Sequence, residues 1–400
     1  MRISNWIAKY RQLTVLMLLL PVMVFGQLNK AENLLTGAER AGAYLPLVYT
    51  KKVAVVANQT SVVKDQHLVD YLLKSKVNVV RVLAPEHGFR GTASAGEHVA
   101  DGKDTRTGLP IVSLYGSHKK PTAADLQGID VVIFDLQDVG ARFYTYISTM
   151  TYVMEACAEN GVEMIILDRP NPHGYYVDGP VLQEGYESFV GMHHVPVIHG
   201  MTMGEYARMV NGEGWLKGGV KCRLEVVSCQ NYDHLTEYIL PVKPSPNLPN
   251  QAAVALYPSL CFFEGTNVSV GRGTDTPFQV IGAPYFREGT TTFIPRGNDG
   301  AKNPKYEGVE CKGFDLREFA EFYVDGLGEL YLFWLVEAYQ MAPDKAAFFT
   351  RFFDTLAGTD QLRKQIEAGK SIEEIRESWQ ADLAAFKDIR RKYLLYPDFE

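Results

Sequence analysis

Cysteine is scarce in this sequence, and an excess of positive charge is missing. The 400 residues include five cysteines, none of them in a C-x-x-C pair or another spacing typical of zinc ligands. Lysine and arginine total 40 against 47 acidic residues, and binding to nucleic-acid phosphates needs a basic surface. We therefore expect no metal centre and no nucleic-acid partner. Cys222 and Cys229 flank a predicted strand, which leaves a disulfide between them as an open option.

Long apolar segments are also missing, except for one at the N-terminus. Residues 13–25 are almost entirely apolar, and the residues before them include three basic side chains and no acidic one. This segment is too short to cross the roughly 30 Å hydrocarbon core of a bilayer comfortably. Together with the small residue Gly26 it is typical of a secretory signal peptide. We predict cleavage near Gly26, with removal of residues 1–26 and export to the periplasm; an uncleaved anchor is the alternative.

Short β-branched segments alternate with amphipathic segments in the first half of the chain. The predicted strands are residues 53–57, 77–83, 111–114, 131–135 and 162–167, and the predicted helices include residues 123–126 and 147–160. Such alternation is typical of βαβ units and a mainly parallel sheet. We therefore predict a Rossmann-like α/β domain over residues 28–190.

The pattern changes after about residue 190. The later segments predicted to be helical are residues 202–210, 314–323, 330–340 and 371–393, and residues 222–227 are predicted to form a strand. Residues 241–249 hold four prolines, which excludes a central strand or helix. This proline segment is extended, either as a linker or as a loop that lines a cleft. We predict a smaller α+β domain over residues 191–400.

Polar side chains follow four of the predicted strands. The carboxyl ends of parallel strands lie at one edge of a sheet, where α/β proteins bind ligands. The side chains that we assign to substrate binding there are Asn58, His87, Arg90, Asp138, Arg142, Tyr144, Asp168, Arg169 and Asn171. Carboxylates and arginines that converge on one rim favour an active site.

Three arginines suit an anionic group on the substrate. The guanidinium groups of Arg142, Arg169 and Arg272 match a carboxylate with two parallel hydrogen bonds. Asp138 and Asp168 have a second interpretation, as carboxylates that hold Arg142 and Arg169 in place. The sequence thus predicts a local site for a negative charge on an acidic protein.

Two glutamates are the candidates for acid–base chemistry. Hydrolysis of a glycosidic bond needs one carboxyl group to protonate the leaving oxygen, and usually a second as base or nucleophile. Glu86 lies in a predicted tight loop beside an aromatic residue, which suits the acid; a surface ion pair with Arg90 is the alternative. Glu264 precedes the glycine-rich segment 265–273, where it either faces the first domain across a cleft or forms a salt bridge.

The signatures of several other chemistries are missing. The sequence has no G-x-S-x-G motif of a serine hydrolase and no H-E-x-x-H motif of a zinc enzyme. The segment VGRGT at residues 270–274 does not match the G-x-G-x-x-G motif of dinucleotide-binding proteins. We therefore expect no metal, no cofactor and no nucleotide.

Six segments together resemble one protein family. They read PEHGFRG (residues 85–91), DLQDVGARFYT (135–145), LDRPNP (167–172), FEGTN (263–267), GRGT (271–274) and YLLYP (393–397). On these motifs the chain resembles the NamZ-type exo-β-N-acetylmuramidases from about residue 34 to residue 397.

This resemblance implies a fold, an activity and partners. It implies two domains with the active-site cleft between them, and a glycoside hydrolase that acts on muropeptides or disaccharides derived from peptidoglycan. Such an enzyme releases terminal β-linked N-acetylmuramic acid from the non-reducing ends. Glu86 matches the general acid/base, and Glu264 matches a motif whose role stays open. A non-catalytic periplasmic muropeptide-binding protein with the same cleft is the alternative.

Overall fold

The structure of this chain, a computed structural model, describes residues 29–30, 33–86, 88–90, 102–324 and 327–400. The predicted signal peptide, residues 1–26, lies outside these ranges, and so does His87. Export therefore stays a prediction. Within the described ranges, no helix is long and apolar enough to cross a membrane.

A seven-stranded sheet lies at the centre of the N-terminal half. Its strands are β1 (Lys52–Ala57), β2 (Asn78–Ala84), β3 (Gly102–Lys103), β4 (Pro110–Ser113), β5 (Val131–Asp135), β6 (Glu163–Leu167) and β7 (Arg223–Val227). The strand order is β7-β6-β5-β1-β2-β4-β3, and among these described strands only β3 runs antiparallel to its neighbour. The predicted α/β fold with a mainly parallel sheet is confirmed.

The helices cover both faces of this sheet and recur along the C-terminal half. They are α1 (Ala41–Val48), α2 (Leu68–Lys74), α3 (Tyr146–Asn160), α4 (Met203–Glu213), α5 (Gln251–Leu260), α6 (Arg317–Phe319), α7 (Phe333–Met341), α8 (Arg351–Ala357), α9 (Gln361–Glu367), α10 (Ile372–Glu377) and α11 (Gln380–Arg390). Gly161 ends α3 with a φ of 67°, in the left-handed conformation that a helix C-terminus favours.

Burial on two faces explains the apolar strands. In β1, Ala54 and Val56 pack into the core beneath α3 and α4, which continues into the C-terminal half. Val53, Val55 and Ala57 face the other way, into a second core beneath α1 and α2. Because successive side chains of a strand point to opposite faces, a strand covered on both sides is apolar throughout.

The C-terminal half adds a smaller sheet. Strands β8 (Val280–Ala283), β9 (Thr291–Phe293) and β10 (Cys311–Asp315) pair antiparallel in the order β8-β10-β9. The smaller α+β part of the prediction is confirmed. Strand β7 nevertheless joins the first sheet, although it follows residue 190, because its main chain pairs in parallel with β6.

Three local predictions differ from the structure. Residues 123–126 form turns rather than a helix, because the Asp125 carboxylate accepts hydrogen bonds from the main chain and hydroxyl of Thr122. The predicted helix 371–393 is divided into α10 and α11 at Trp379, whose indole donates to Asp178 at 3.0 Å. Residues 314–323 begin as the end of β10 and become helical only from Arg317.

The five cysteines are buried free thiols. Cys222 and Cys229 lie at opposite ends of the extended strand β7, which separates them by far more than the 4.4–6.8 Å between Cα atoms that a disulfide requires, at roughly 3.3 Å per residue. The optional disulfide is therefore absent.

Candidate active site

A cleft of about 220 Å³ lies where the carboxyl edge of the first sheet meets the C-terminal half. Glu86 and Glu264 both line it. The chain proceeds from β1 to β2 on one side and later returns to β5 on the other side of β1. Such a reversal opens a crevice at the strand ends and is the usual ligand position in α/β sheets.

The Glu86 side chain is oriented by two hydroxyl groups. Gly88, with a φ of 76°, closes the tight turn after β2 by donating its N–H to the Pro85 carbonyl at 3.1 Å. Thr145 donates its hydroxyl to Glu86 Oε2 at 3.2 Å. Burial, the Glu86 charge and the hydrogen bond with this carboxylate raise the pKa of Tyr115 to about 12. The half-buried Glu86 carboxyl is thus held by its neighbours in the cleft.

The wall beside Glu86 is built from tyrosines. Tyr146 lines the cleft and receives a hydrogen bond from the Asn58 amide at 2.7 Å. Asn58 itself is completely buried. Its predicted role in substrate binding is therefore corrected, because Asn58 instead positions Tyr146. Tyr144 lines the cleft and donates its hydroxyl to the Pro244 carbonyl at 2.9 Å.

The proline segment 241–249 lines this cleft. Ser245, Asn247 and Leu248 contribute to its wall, and the Asn247 amide donates to the Gly300 carbonyl at 2.6 Å. Of the two sequence interpretations, a linker or a loop along a cleft, the second is confirmed.

The opposite wall contains an ion pair. Glu264, in the short 3-10 turn Cys261–Gly265, forms an ion pair with Arg272, with 2.8 Å between Oε2 and Nη2. The Arg272 guanidinium also lies over the Phe278 ring, 5.1 Å from its centre. The salt bridge that the sequence left open for Glu264 is therefore present, and the pair lies within the cleft.

Arg142 does not reach the cleft, and its predicted role is corrected. Its fully buried guanidinium donates to four main-chain carbonyls, those of Pro180 (2.9 Å), Val195 (2.7 Å), Leu356 (2.9 Å) and Ala357 (2.7 Å). Burial lowers the pKa of Arg142 to about 9. Arg142 thus joins segments that are distant in sequence and does not bind an anion.

The two other arginines from the first domain are also occupied. Arg169 pairs with Asp135 through two hydrogen bonds of 2.6 and 2.9 Å, and not with Asp168 as the sequence offered. Arg90 binds Asp104 in the same way, at 2.9 and 2.8 Å, which excludes it as the ion-pair partner proposed for Glu86. Both lie outside the cleft wall.

Asp168 and Asn171 are likewise structural. The Asp168 carboxylate accepts hydrogen bonds from the hydroxyls of Thr202 (2.7 Å) and Tyr396 (2.6 Å), and burial raises its pKa to about 6. The Asn171 amide donates to the Met201 carbonyl at 2.9 Å. Neither side chain lines the cleft, so both substrate-binding predictions are corrected; His87 lies outside the described residues.

Asp138 lies buried behind the tyrosine wall. Its Oδ1 accepts the Gly140 N–H at 2.7 Å, whereas Oδ2 has no hydrogen-bond partner in the part of the chain that the structure describes. Burial raises the pKa of Asp138 to about 7, although main-chain hydrogen bonds from Gly140 and Val139 oppose the shift. No arginine among the described residues pairs with Asp138. Asp138 does not line the cleft, so the structure gives no support to its predicted contact with substrate.

Replacement of Asp138 by asparagine is expected to change the pH dependence of stability. The folded protein holds the Asp138 proton more tightly than the unfolded chain, so wild-type stability falls as the pH rises from about 4 to about 7. A shift of this size corresponds to about 4 kcal/mol as an upper bound. Urea unfolding of both proteins between these pH values measures the pH dependence of the free energy of unfolding. If the difference in this free energy between wild type and variant stayed constant with pH, the raised pKa of Asp138 would be contradicted.

Three hydroxyl side chains were not among the predicted site residues. Thr145 and Tyr146 directly follow Tyr144, so the motif that ends at residue 145 already points to them. Tyr115 follows the predicted strand 111–114, and the rule on strand ends applies to it as well.

The described residues contain no group of three or more His, Cys, Asp or Glu side chains placed to hold a metal.

A larger cavity of about 640 Å³ lies elsewhere beside the sheet. Two of its charged side chains are engaged within the protein, since Glu39 accepts the Thr36 N–H at 2.9 Å and Arg169 is paired with Asp135. Neither Glu86 nor Glu264 lines it. The smaller cleft, which has both carboxylates, is the candidate active site.

Known proteins are similar over nearly the whole chain. The family profile "Exo-beta-N-acetylmuramidase NamZ, N-terminal" matches residues 53–252, and its C-terminal counterpart matches residues 255–396. The peptidoglycan beta-N-acetylmuramidase NamZ of Bacillus subtilis (strain 168) is 37% identical over 369 residues, which cover 86% of this chain and 87% of that protein.

Two crystal structures of DUF1343 family proteins from Bacteroides fragilis NCTC 9343 are also similar. The first has a TM-score of 0.86 and 46% identity, covering 92% of this chain and all of its own. The second has a TM-score of 0.78 and 30% identity, covering 91% of this chain and 99% of its own.

Proposed function

This chain belongs to the NamZ family of exo-β-N-acetylmuramidases, and we propose that its chemistry takes place in the cleft between Glu86 and Glu264. It is a glycoside hydrolase that releases terminal β-linked N-acetylmuramic acid from non-reducing ends of peptidoglycan fragments. The single observation that carries the assignment of the site is the presence of two carboxyl groups in one cleft at the sheet reversal.

Glu86 is the general acid/base in this proposal. A glycosidase acid must lie at the substrate with a fixed orientation. Hydrogen bonding to Thr145 and Tyr115 supplies that orientation. Within the described residues no lysine or arginine pairs with Glu86, so its carboxyl is free to pass a proton to the leaving oxygen and to recover one from water.

Glu264 is the second carboxylate. It lines the same cleft and is fixed by Arg272 at 2.8 Å. A carboxylate in this position can activate water, attack the anomeric carbon or orient the N-acetyl group of the substrate as an internal nucleophile. The sugar rests against the aromatic wall, which includes Tyr144 and Tyr257.

The natural partners in this proposal are peptidoglycan-derived muropeptides or disaccharides, and the place of action is the periplasm. The motifs of the sequence and the membership in the family support the first part. The basic and apolar N-terminal segment supports the second. The alternative of a non-catalytic muropeptide-binding protein has no support among the similar proteins.

We expect hydrolysis of 4-nitrophenyl β-N-acetylmuramide, with at least about tenfold lower kcat/KM for the corresponding β-N-acetylglucosaminide, which lacks the lactyl carboxylate. Release of nitrophenol from the two compounds measures this preference. Absence of hydrolysis of both compounds would favour a binding protein. Hydrolysis of the glucosaminide alone would overturn the assignment of N-acetylmuramic acid as the sugar that the enzyme releases.

A further inference from the structure

A second cavity adjoins the candidate active site. It has a volume of about 310 Å³, and it shares Glu264, Arg272 and Phe352 with the cleft. Lys305 lies in its wall. A sugar ring bound in the cleft therefore has room for a substituent on the far side of the Glu264–Arg272 pair.

Arg272 has an unused hydrogen-bond donor at this junction. Its Nη2 lies 2.8 Å from Glu264 Oε2 in an ion pair, but its Nε is buried and has no hydrogen-bond partner among the described residues. A buried donor left unpaired is unfavourable, and an acceptor on a ligand that reaches it would remove this cost. The residues Gly271 and Gly273 on either side have φ values of 75° and 80°, and main-chain oxygens lie within 2.8 Å of a Cβ placed at either position. The loop thus presents Arg272 in a fixed position.

Lys305 adds a second positive charge. Its ammonium donates to the carbonyls of Phe263 (3.2 Å), Thr266 and Val268 (2.9 Å). These three acceptors use its three N–H groups, so Lys305 contributes charge rather than a direct hydrogen bond. Within the described residues no carboxylate forms an ion pair with it.

The charges of the junction leave an excess of one positive charge. Arg272 and Lys305 are balanced by Glu264 alone among the charged side chains that line the second cavity. In a protein with a formal charge of −7, such a local excess suits one anionic group. The Phe352 ring, which is 42% exposed, lies at the boundary of the two cavities and offers an apolar face to a sugar ring.

We propose that the second cavity binds the carboxylate of the 3-O-lactyl substituent of the muramic acid ring, with Arg272 as the hydrogen-bond donor and Lys305 as a fixed charge. This inference rests on the proposed function and deepens it. Arg272 then contacts the substrate carboxylate and Glu264 at once. Recognition of the lactyl group is thereby linked to the position of the second carboxylate.

The test compares N-acetylmuramic acid with its carboxyl methyl ester, which keeps the lactyl group, removes the charge and adds one methyl group. Calorimetric titration in a Glu86→Gln background measures binding without turnover. We expect the acid to bind about 10- to 100-fold more tightly than the ester, because a hydrogen bond to a charged group is worth about 1.5–3 kcal/mol. In Arg272→Gln this preference is expected to fall to about twofold.

Two further variants separate recognition from folding. Lys305→Met is expected to reduce the preference for the acid partially, and it serves as the test if Arg272→Gln does not fold. Arg287→Gln, which removes the charge of an exposed arginine in the same half of the chain, is expected to leave the preference unchanged. If Arg272 or Lys305 had only a structural role, its replacement would weaken the binding of the acid and of the ester equally.

The outcomes distinguish this inference from the proposed function. If wild-type protein hydrolyses the muramide but Arg272→Gln and Lys305→Met keep the full preference for the acid, the second cavity is not the carboxylate site and the muramidase assignment stands. If wild-type protein neither hydrolyses the muramide nor binds N-acetylmuramic acid, both the proposed function and this inference fail.

Discussion

Glu86→Gln is expected to lower kcat on a disaccharide substrate by about 10³-fold, within the range of 10²–10⁴ that general acid–base catalysis supplies. Glutamine has nearly the same size and keeps an oxygen that accepts the Thr145 hydroxyl, which lies 3.2 Å from Glu86. It has no proton to transfer to the leaving oxygen. Release of free N-acetylmuramic acid, followed by chromatography, measures the loss, and circular dichroism verifies the fold.

The leaving group makes this prediction specific for a proton donor. Nitrophenolate leaves readily without protonation, whereas the hydroxyl of a sugar does not. Glu86→Gln is therefore expected to retain much more of its activity on the 4-nitrophenyl substrate than on the disaccharide. Glu184→Gln, a change at an exposed glutamate, is the matched control and should leave both activities intact. Equal losses on both substrates would show that Glu86 is not the acid.

Arg142→Met is expected to lower the free energy of unfolding by about 3 kcal/mol or more. The substitution leaves the carbonyls of Pro180, Val195, Leu356 and Ala357 without their donor, and each buried unsatisfied group costs about 1–3 kcal/mol. Relief of the cost of burying the charge, which is visible in the lowered pKa of Arg142, offsets part of this sum.

Denaturant unfolding of Arg142→Met measures this loss, with Arg287→Met as the exposed control. The remaining folded protein should have a normal KM, because Arg142 does not line the cleft. Unchanged stability combined with a large increase in KM would restore the role in substrate binding that the sequence pattern predicted.

The main sheet was predictable because its strands are buried on both sides. Residues 131–135 are apolar up to Asp135, and the observed strand β5 has the same bounds. Helix α5 was not predicted, since it follows the proline segment and contains Pro258. Its N-terminus is nevertheless capped by Asn250, whose side chain accepts the Ala253 N–H, which is a signal that the sequence contains.

The candidate site was predictable only in part, for a physical reason. Glu86, Tyr144, Glu264 and Arg272 were found because they follow strands or flank glycines, and these positions are readable from sequence. The hydrogen-bond partners of a buried charged side chain cannot be read from the sequence in this way. The Arg142 guanidinium donates to main-chain carbonyls up to 215 positions away, and these leave no trace in the pattern of side chains.

The central claim is that this chain removes muramic acid from non-reducing ends, and two isomeric disaccharides test it most directly. One carries N-acetylmuramic acid β-linked at the non-reducing end to N-acetylglucosamine, and the other has the reverse order. Incubation with wild-type protein and mass spectrometry of the products should show equimolar free sugars from the first disaccharide and none from the second. Cleavage of the second disaccharide, or of neither, would contradict the account.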